Sequence, residues 1–314
     1  MSILSQPQFH DEDAAFAWLE KTLWNGAPVC PHCGGMDRIT KVKANPEKRI
    51  RLGLWRCGDC KKQFTVKVGT VFEHARMPLH KMLQAVHLMC SSKKGISAHQ
   101  LHRILEVQYK TAWFLAHRIR EAMRSGELAP MGGPGSSGVV EIDETFIGRL
   151  EGQPDRKGWG VTSYMNTVFA LVERGGSTRM FHVEGTTKGE LQAIIRANVA
   201  REANIMTDEG RWYQGLGKDF ASHSAVNHSR KEYARGDVTT NTVEGSFSIF
   251  KRGMKGVYQH CAEKHLHRYL AEFEFRYNAR TALGVNDAQR TAKAAIGIKG
   301  KRLTYRRPSD VAPF

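Results

Sequence analysis

The sequence predicts a multidomain protein in which a mainly α N-terminal region, built on a small cysteine-bearing ribbon, precedes an α/β domain. Three observations predict it. Two tight cysteine pairs, CPHC (Cys30, Cys33) and CGDC (Cys57, Cys60), are separated by 23 residues. Between Ser97 and Met123 the apolar spacing fits two short helices with a break near Val107-Gln108. Beyond the glycine-rich stretch GELAPMGGPGSSG at 126–138, strand-like and helix-like patterns alternate and then give way to helix.

Residues 1–25 carry the first element. DEDAAFAWLEKTLW opens with acids, places Phe16, Leu19 and Leu23 on one face and stops at Asn25-Gly26, the pattern of a short amphipathic helix. Residues 26–70 form the ribbon. Four thiolates in two knuckles complete a tetrahedron, so Cys30, Cys33, Cys57 and Cys60 are expected to hold one structural zinc. CPHC alone would also suit a redox dithiol. The second pair, and the lack of strand-helix-strand context around either, favour zinc. Cys90 and Cys261 are left over and are expected as buried free thiols.

Residues 71–125 are expected to form a helix-turn-helix DNA-binding region. A helix starts near Leu79. Ser97 caps a second with Leu101, Ile104 and Leu105 inward, and a third carries Trp113, Phe114, Leu115 and Ile119 together with Lys110, Arg118 and Arg120. Residues 126–138 read as a linker by composition.

The α/β domain, 139–285, begins with VVEIDETFIG. Val140, Ile142 and Phe146 alternate with Glu141, Asp143 and Thr145, which predicts a strand with one apolar and one polar face. Carboxylates at mid-strand mark either a solvated edge or half of a metal site. ANIMTDEG ends another apolar run at Asp208, and TTNTVEGSFSIFKRG presents Glu244 on a helix. Asp143, Asp208 and Glu244 thus supply enough oxygen for a pair of hard divalent cations. Glu141, Glu144 and Glu209 are the local rivals. Glu141 shares a face with Asp143, whereas Glu144 and Glu209 point the opposite way in regular strands. Lys251 lies seven residues after Glu244, about two turns on, and so shares its helix face. It is suited to meet a phosphate beside the metals, or is a surface cation on a basic helix. Strands are expected at 139–149, 167–174, 178–185 and 203–208, a helix at 188–201, a basic loop at 151–160, a long helical region from 239, and a basic tail at 286–314.

The formal charge is +16, with +8 in residues 38–67 and +9 in residues 251–314, leaving the rest near neutral. Such clustering suits polyanion contact, because releasing condensed counterions rewards clustered cations. No apolar run is long enough for a membrane span, and the acidic N-terminus is unlike a signal peptide, so no membrane partner and a cytoplasmic, nucleoid-associated location are expected.

The motifs CPHC/CGDC, GTVFEHARMPLHKM, VEIDETFIG, TDEGRWYQGL and TTNTVEGSFSIFKRGMKGVYQHCAEKHLHRYLAEFEFRYNAR together resemble the bacterial insertion-sequence transposases of the zinc-ribbon DDE type. The resemblance covers most of the chain. It implies a ribonuclease H-like catalytic domain with Asp143, Asp208 and Glu244 as the acidic triad, two Mg²⁺ or Mn²⁺ ions, and the family's following lysine at Lys251. Some members carry asparagine as the third acid; here Glu244 is present, and Asn241 lies three residues before it. The activity implied is binding of the element's own ends, then cleavage and strand transfer into target DNA, in a homo-oligomeric complex. A structure-specific nuclease of the same fold, or a DNA-binding regulator with an inert C-terminal domain, are the alternatives.

Overall fold

The computed structural model describes residues 3–126, 128–153 and 161–304, which form two compact units. Residues 3–92, Ile96–Arg124 and 286–304 make the first, and 93–95 with the described part of Ser125–Val285 make the second.

The first unit opens with α1 (Glu12–Trp24), whose N-terminus is capped by Asp11 accepting from Ala14 N at 2.7 Å and whose C-cap Asn25 is left-handed, a conformation its short amide side chain tolerates. A three-stranded antiparallel ribbon follows: β1 (Ile39–Lys41), β2 (Trp55–Cys57) and β3 (Gln63–Phe64). Buried Glu20 ties α1 to it, accepting from Lys41 Nζ and Trp55 Nε1, both at 2.8 Å. Gly53, at φ +68°, admits no side chain, since a Cβ would lie 2.2 Å from the Phe16 ring. Then come α2 (Leu79–Ser91), α3 (Ala98–Leu105) and α4 (Tyr109–Met123). Ser97 and Gln100 close a capping box at α3, and Glu106 turns left-handed to end it, so α3 and α4 form a tight helical hairpin. Leu101 and Leu105 are fully buried, contributing about 1.5–3 kcal/mol each. Ile104, expected inward, is 53 % exposed, because the stripe of this two-turn helix is only wide enough for its two leucines. Arg120, expected at the DNA-facing surface, is 2 % exposed and faces inward with Ala116 and Met123.

The second unit is a mixed five-stranded sheet in the order β6-β5-β4-β7-β8, comprising β4 (Val139–Ile147), β5 (Asn166–Glu173), β6 (Thr178–Val183), β7 (Asn204–Thr207) and β8 (Ser222–Ala225). The first three strands are antiparallel, and β7 and β8 run parallel to β4. Before β7 lies α5 (Lys188–Asn198); after β8 come the hairpin strands β9 (Ala234–Arg235) and β10 (Val238–Thr239), then α6 (Asn241–Gly253), a π-helical turn at Met254–Tyr258 and α7 (Leu266–Asn278).

Both faces of the sheet are covered. Val140, Ile142, Phe169, Leu171 and Ile205 pack with α5, while Ile147, Val168, Ala170 and Val172 pack with Val243, Phe247, Phe250 and Phe273 of α6 and α7. The strand expected at 139–149 with one polar, solvated face spans Val139–Ile147 and is covered on both sides, because α6 and α7 fold back over the face that bears the acids. α7 also closes the edge of β6: Asn278 pairs with both the N–H and C=O of Thr178, and Glu274 accepts from Met180 N. The expected linker at 126–138 is no free tether. Buried Met131 bridges Val199, its N–H donating to Asn198 O and its C=O accepting from Ala200 N, both at 2.8 Å. Apolar burial and backbone pairing override its glycine-rich composition. Of the expected basic loop at 151–160, residues 154–160 lie outside the described residues.

The chain then returns to the first unit. Residues expected as a basic tail form α8 (Asp287–Ile296), with its own capping box at Asn286, packed on α2 and α4. His87 Nδ1 meets Thr291 Oγ1 at 2.9 Å, Arg290 donates to Cys90 O at 2.9 Å, and Val71 N donates to Ile298 O. Lys301 donates to the carbonyls of Ala122 and Arg124 at the end of α4, where a cation suits the helix dipole. Part of the second basic block is thus internal: Arg276 and Arg290 are 7 % and 6 % exposed. Cys90 is buried and in no disulfide, as expected, its thiol donating to Arg290 O at 3.7 Å; Cys261 is only half-buried.

Candidate active site

In the ribbon, the four sulfurs of Cys30, Cys33, Cys57 and Cys60 lie within 4.8 Å of one another. Cys30 to Cys60 and Cys33 to Cys57 are each 3.7 Å, far beyond a disulfide. Sulfurs at the corners of a tetrahedron with bonds of about 2.3 Å are about 3.8 Å apart, so the group fits zinc. Phe64, Trp24 and Trp55 pack against its inner side, while Cys33 is exposed.

The carboxylates of the second unit gather where β4 runs beyond β7. The parallel register pairs Val139 with Asn204 and Glu141 with Met206, and continued by two residues it sets Asp143 level with Asp208, one residue past the end of β7. Beyond Glu141 that edge of β4 has no ladder partner among the described residues. Glu144, on the opposite face of the strand as expected, can therefore reach the same space, and Asp143, Glu144 and Asp208 offer oxygens within 4.8 Å of one another. A sequence pattern assigns faces but does not show where a strand loses its neighbour, so Glu144 appeared there only as a rival.

Each acid is held. Asp143 Oδ1 accepts from Glu144 N at 2.8 Å, and Asp208 Oδ1 accepts from Gly210 N at 2.9 Å. Glu144 Oε2 accepts from Tyr213 OH at 2.6 Å and from Trp212 Nε1 at 3.2 Å. Tyr213 and Trp212 are site residues that sequence reasoning missed; RWY after TDEG carries no signal that separates them from core aromatics. Burial, then the neighbouring charges of Glu144, Asp208 and Glu244, push the Asp143 carboxyl up to about 8. Burial likewise raises Glu144 and Asp208. Glu209 turns away as expected: it accepts from His228 N, Ser229 N and Ser229 Oγ, and those bonds hold it at about 2.

Glu244 stands in the first turn of α6, outside the tight group but in the same cleft. Thr240 Oγ1 donates to its Oε1 at 2.8 Å, and His228 Nε2 lies 3.8 Å from that oxygen. The cleft, of about 770 Å³, is lined by Asp143, Glu144 and Glu244 together with Lys251, Arg252 and Lys255. Glu141, the remaining rival, is fully buried and takes no part in the acid group; its partners are Arg174, Thr242 and Val243. An acid cluster with lysines and an arginine lining the same cleft has the donor chemistry for divalent cations and a phosphodiester.

Residues 136–278 match the model of the ISXO2-like transposase domain, and residues 10–63 match that of the transposase zinc-ribbon domain. The chain is 29 % identical over 288 residues to a Halobacterium salinarum protein described as an uncharacterized protein in transposable element ISH50, covering 85 % of this chain and 91 % of that protein. The first of these matches places the second unit among the DDE transposase domains. The chain belongs to the insertion-sequence transposases that carry a zinc ribbon ahead of a DDE domain. Among the described residues, no helix is long and apolar enough to cross a membrane.

Proposed function

We propose that this protein binds the ends of its own insertion sequence and catalyses metal-dependent strand cleavage and strand transfer at Asp143, Asp208 and Glu244. The observation that carries the proposal is convergence on Asp143: the β4–β7 register levels it with Asp208, whose oxygens lie within 4.8 Å of its own, and it lines one cleft with Glu244 and Lys251 of α6. The strand order, three antiparallel then two parallel, with α5 on one face and α6 and α7 on the other, supports a ribonuclease H-like fold.

Two Mg²⁺ or Mn²⁺ ions at the acids would supply the activation of the attacking oxygen and stabilisation of the leaving oxygen. Asp143 and Asp208 hold oxygens at a fixed separation because each is tied to backbone N–H groups at a strand edge or end. Thr240 orients Glu244 toward the same cleft. Lys251, Arg252 and Lys255 recur on one helical wall and can grip consecutive phosphates, steering the scissile bond toward the acids. The α3–α4 hairpin, with Lys110 exposed at the start of α4, supports end recognition as a helix-turn-helix. Target DNA is the second substrate, and a homo-oligomer is the working assembly the reading implies.

The test is incubation of purified protein with its element ends and Mg²⁺ or Mn²⁺. Specific nicking at the element boundary and joined products support the proposal. Cutting without end specificity or joining would refute it, as would undiminished cutting by folded Asp208→Asn protein.

A further inference from the structure

We propose that Glu141 and Arg174 form a buried clamp that sets the relative positions of the three elements bearing Asp143, Asp208 and Glu244, which makes Glu141 a positioning residue of the site. The inference rests on the reading of those acids as metal ligands. Glu141 lies on β4 two residues before Asp143 and on the same face, and it is fully buried. Its Oε1 accepts from Arg174 Nε at 2.6 Å and Thr242 Oγ1 at 2.9 Å. Its Oε2 accepts from Thr242 N at 2.7 Å and Val243 N at 3.0 Å. Both oxygens are thereby occupied, so Glu141 is no ligand.

Those two amides are orphan donors of the first turn of α6, and Glu244 is the next residue. The N-cap of that helix, Thr240, makes no side-chain cap, and its hydroxyl donates to Glu244. Glu141 supplies from the neighbouring strand the cap that Thr240 gives up. Arg174 completes the connection: its Nη2 contacts Met206 Sδ and Thr239 O, both at 3.0 Å, and its backbone N–H donates to Val139 O. Met206 is two residues before Asp208 and opposite Glu141 in the ladder. One carboxylate and one guanidinium therefore touch the strand of Asp143, the strand leading to Asp208 and the turn that launches Glu244. A well-packed apolar pair could fill this space with equal or greater stability, so the use of a charged pair is explained by directional bonds that fix the seating of α6.

The test uses full-length protein and two variants, Glu141→Gln and the milder Thr242→Val, measured beside Asp143→Asn. Mn²⁺ binding is followed by electron paramagnetic resonance, and amide exchange at Thr242–Glu244 by hydrogen-exchange mass spectrometry. Glu141→Gln should weaken Mn²⁺ binding by about 10–100-fold, the usual effect of losing an outer partner of a metal site, and speed exchange in the first turn of α6. Cleavage should return at raised Mn²⁺. Thr242→Val should shift both readouts in the same direction but less, and it decides alone if Glu141→Gln does not fold. A lower melting temperature with unchanged Mn²⁺ affinity and unchanged α6 exchange would overturn the clamp. If Asp143→Asn loses Mn²⁺ while the clamp variants keep it, only the clamp fails; if Asp143→Asn keeps it, the metal-site reading falls and the clamp with it.

Discussion

Replacing Asp143 by Asn should make the metal-free protein more stable at pH 7 while destroying its chemistry. Unfolded, this carboxyl ionises at its ordinary 3.8; folded, it is pushed up to about 8. The folded protein therefore holds a proton that the unfolded chain has already lost at any pH between those values. Stability accordingly falls as pH rises through that window, and little of the penalty remains below pH 4. At pH 7 about three pH units of the window have been crossed, and at 1.36 kcal/mol per unit the ceiling is about 4 kcal/mol. Solvent access and proton sharing with Glu144 and Asp208 scale this to about 1–3 kcal/mol. The side-chain amide introduced by Asp143→Asn keeps the acceptor for Glu144 N and carries no charge, so the variant should melt about 3–9 °C higher in EDTA at pH 7, with the gain fading by pH 4. Adding Mg²⁺ or Mn²⁺ should stabilise the native protein and leave the variant almost unmoved, since only an intact site gains from binding. Calorimetry at the two pH values, with and without cation, is the assay. An unchanged or lower melting temperature at pH 7, or a gain undiminished at pH 4, refutes the reasoning.

Metal analysis should find one zinc per chain; chelation or Cys57→Ser should unfold the ribbon as seen by hydrogen exchange in residues 26–70, with the sheet of the second unit still protected. Lys110→Ala should weaken end-DNA binding and reduce the slope of log affinity against log salt by about one, whereas buried Arg120→Ala should act on melting temperature instead. Just past α8, Gly297→Ala would place a Cβ 2.3 Å from Ala122 O, and thermal melts should show a loss of about 1–3 kcal/mol.

Cysteine spacing, helix caps and the period-2 acids are local properties, and the sequence by itself determined them: the knuckles at Cys30, Cys33, Cys57 and Cys60, the cap at Ser97, a strand carrying Asp143 at its middle and another ending just before Asp208 all stand where the pattern sets them. These features need only near neighbours in the chain, so a one-dimensional pattern carries them. Tertiary structure decided what depends on which element covers which. α6 and α7 buried the face that alternation alone leaves open to water, and so turned Glu141 from a rival ligand into a helix cap 101 residues away in sequence from Thr242. The early end of β7 let Glu144 reach round a strand edge to join Asp143 and Asp208. Residues 287–296 became a core helix because α2 and α4 offered an apolar groove to a capped segment whose composition reads as a basic tail. Each outcome turns on burial between segments distant in sequence, and burial is a property of the assembled surface, which no local pattern contains.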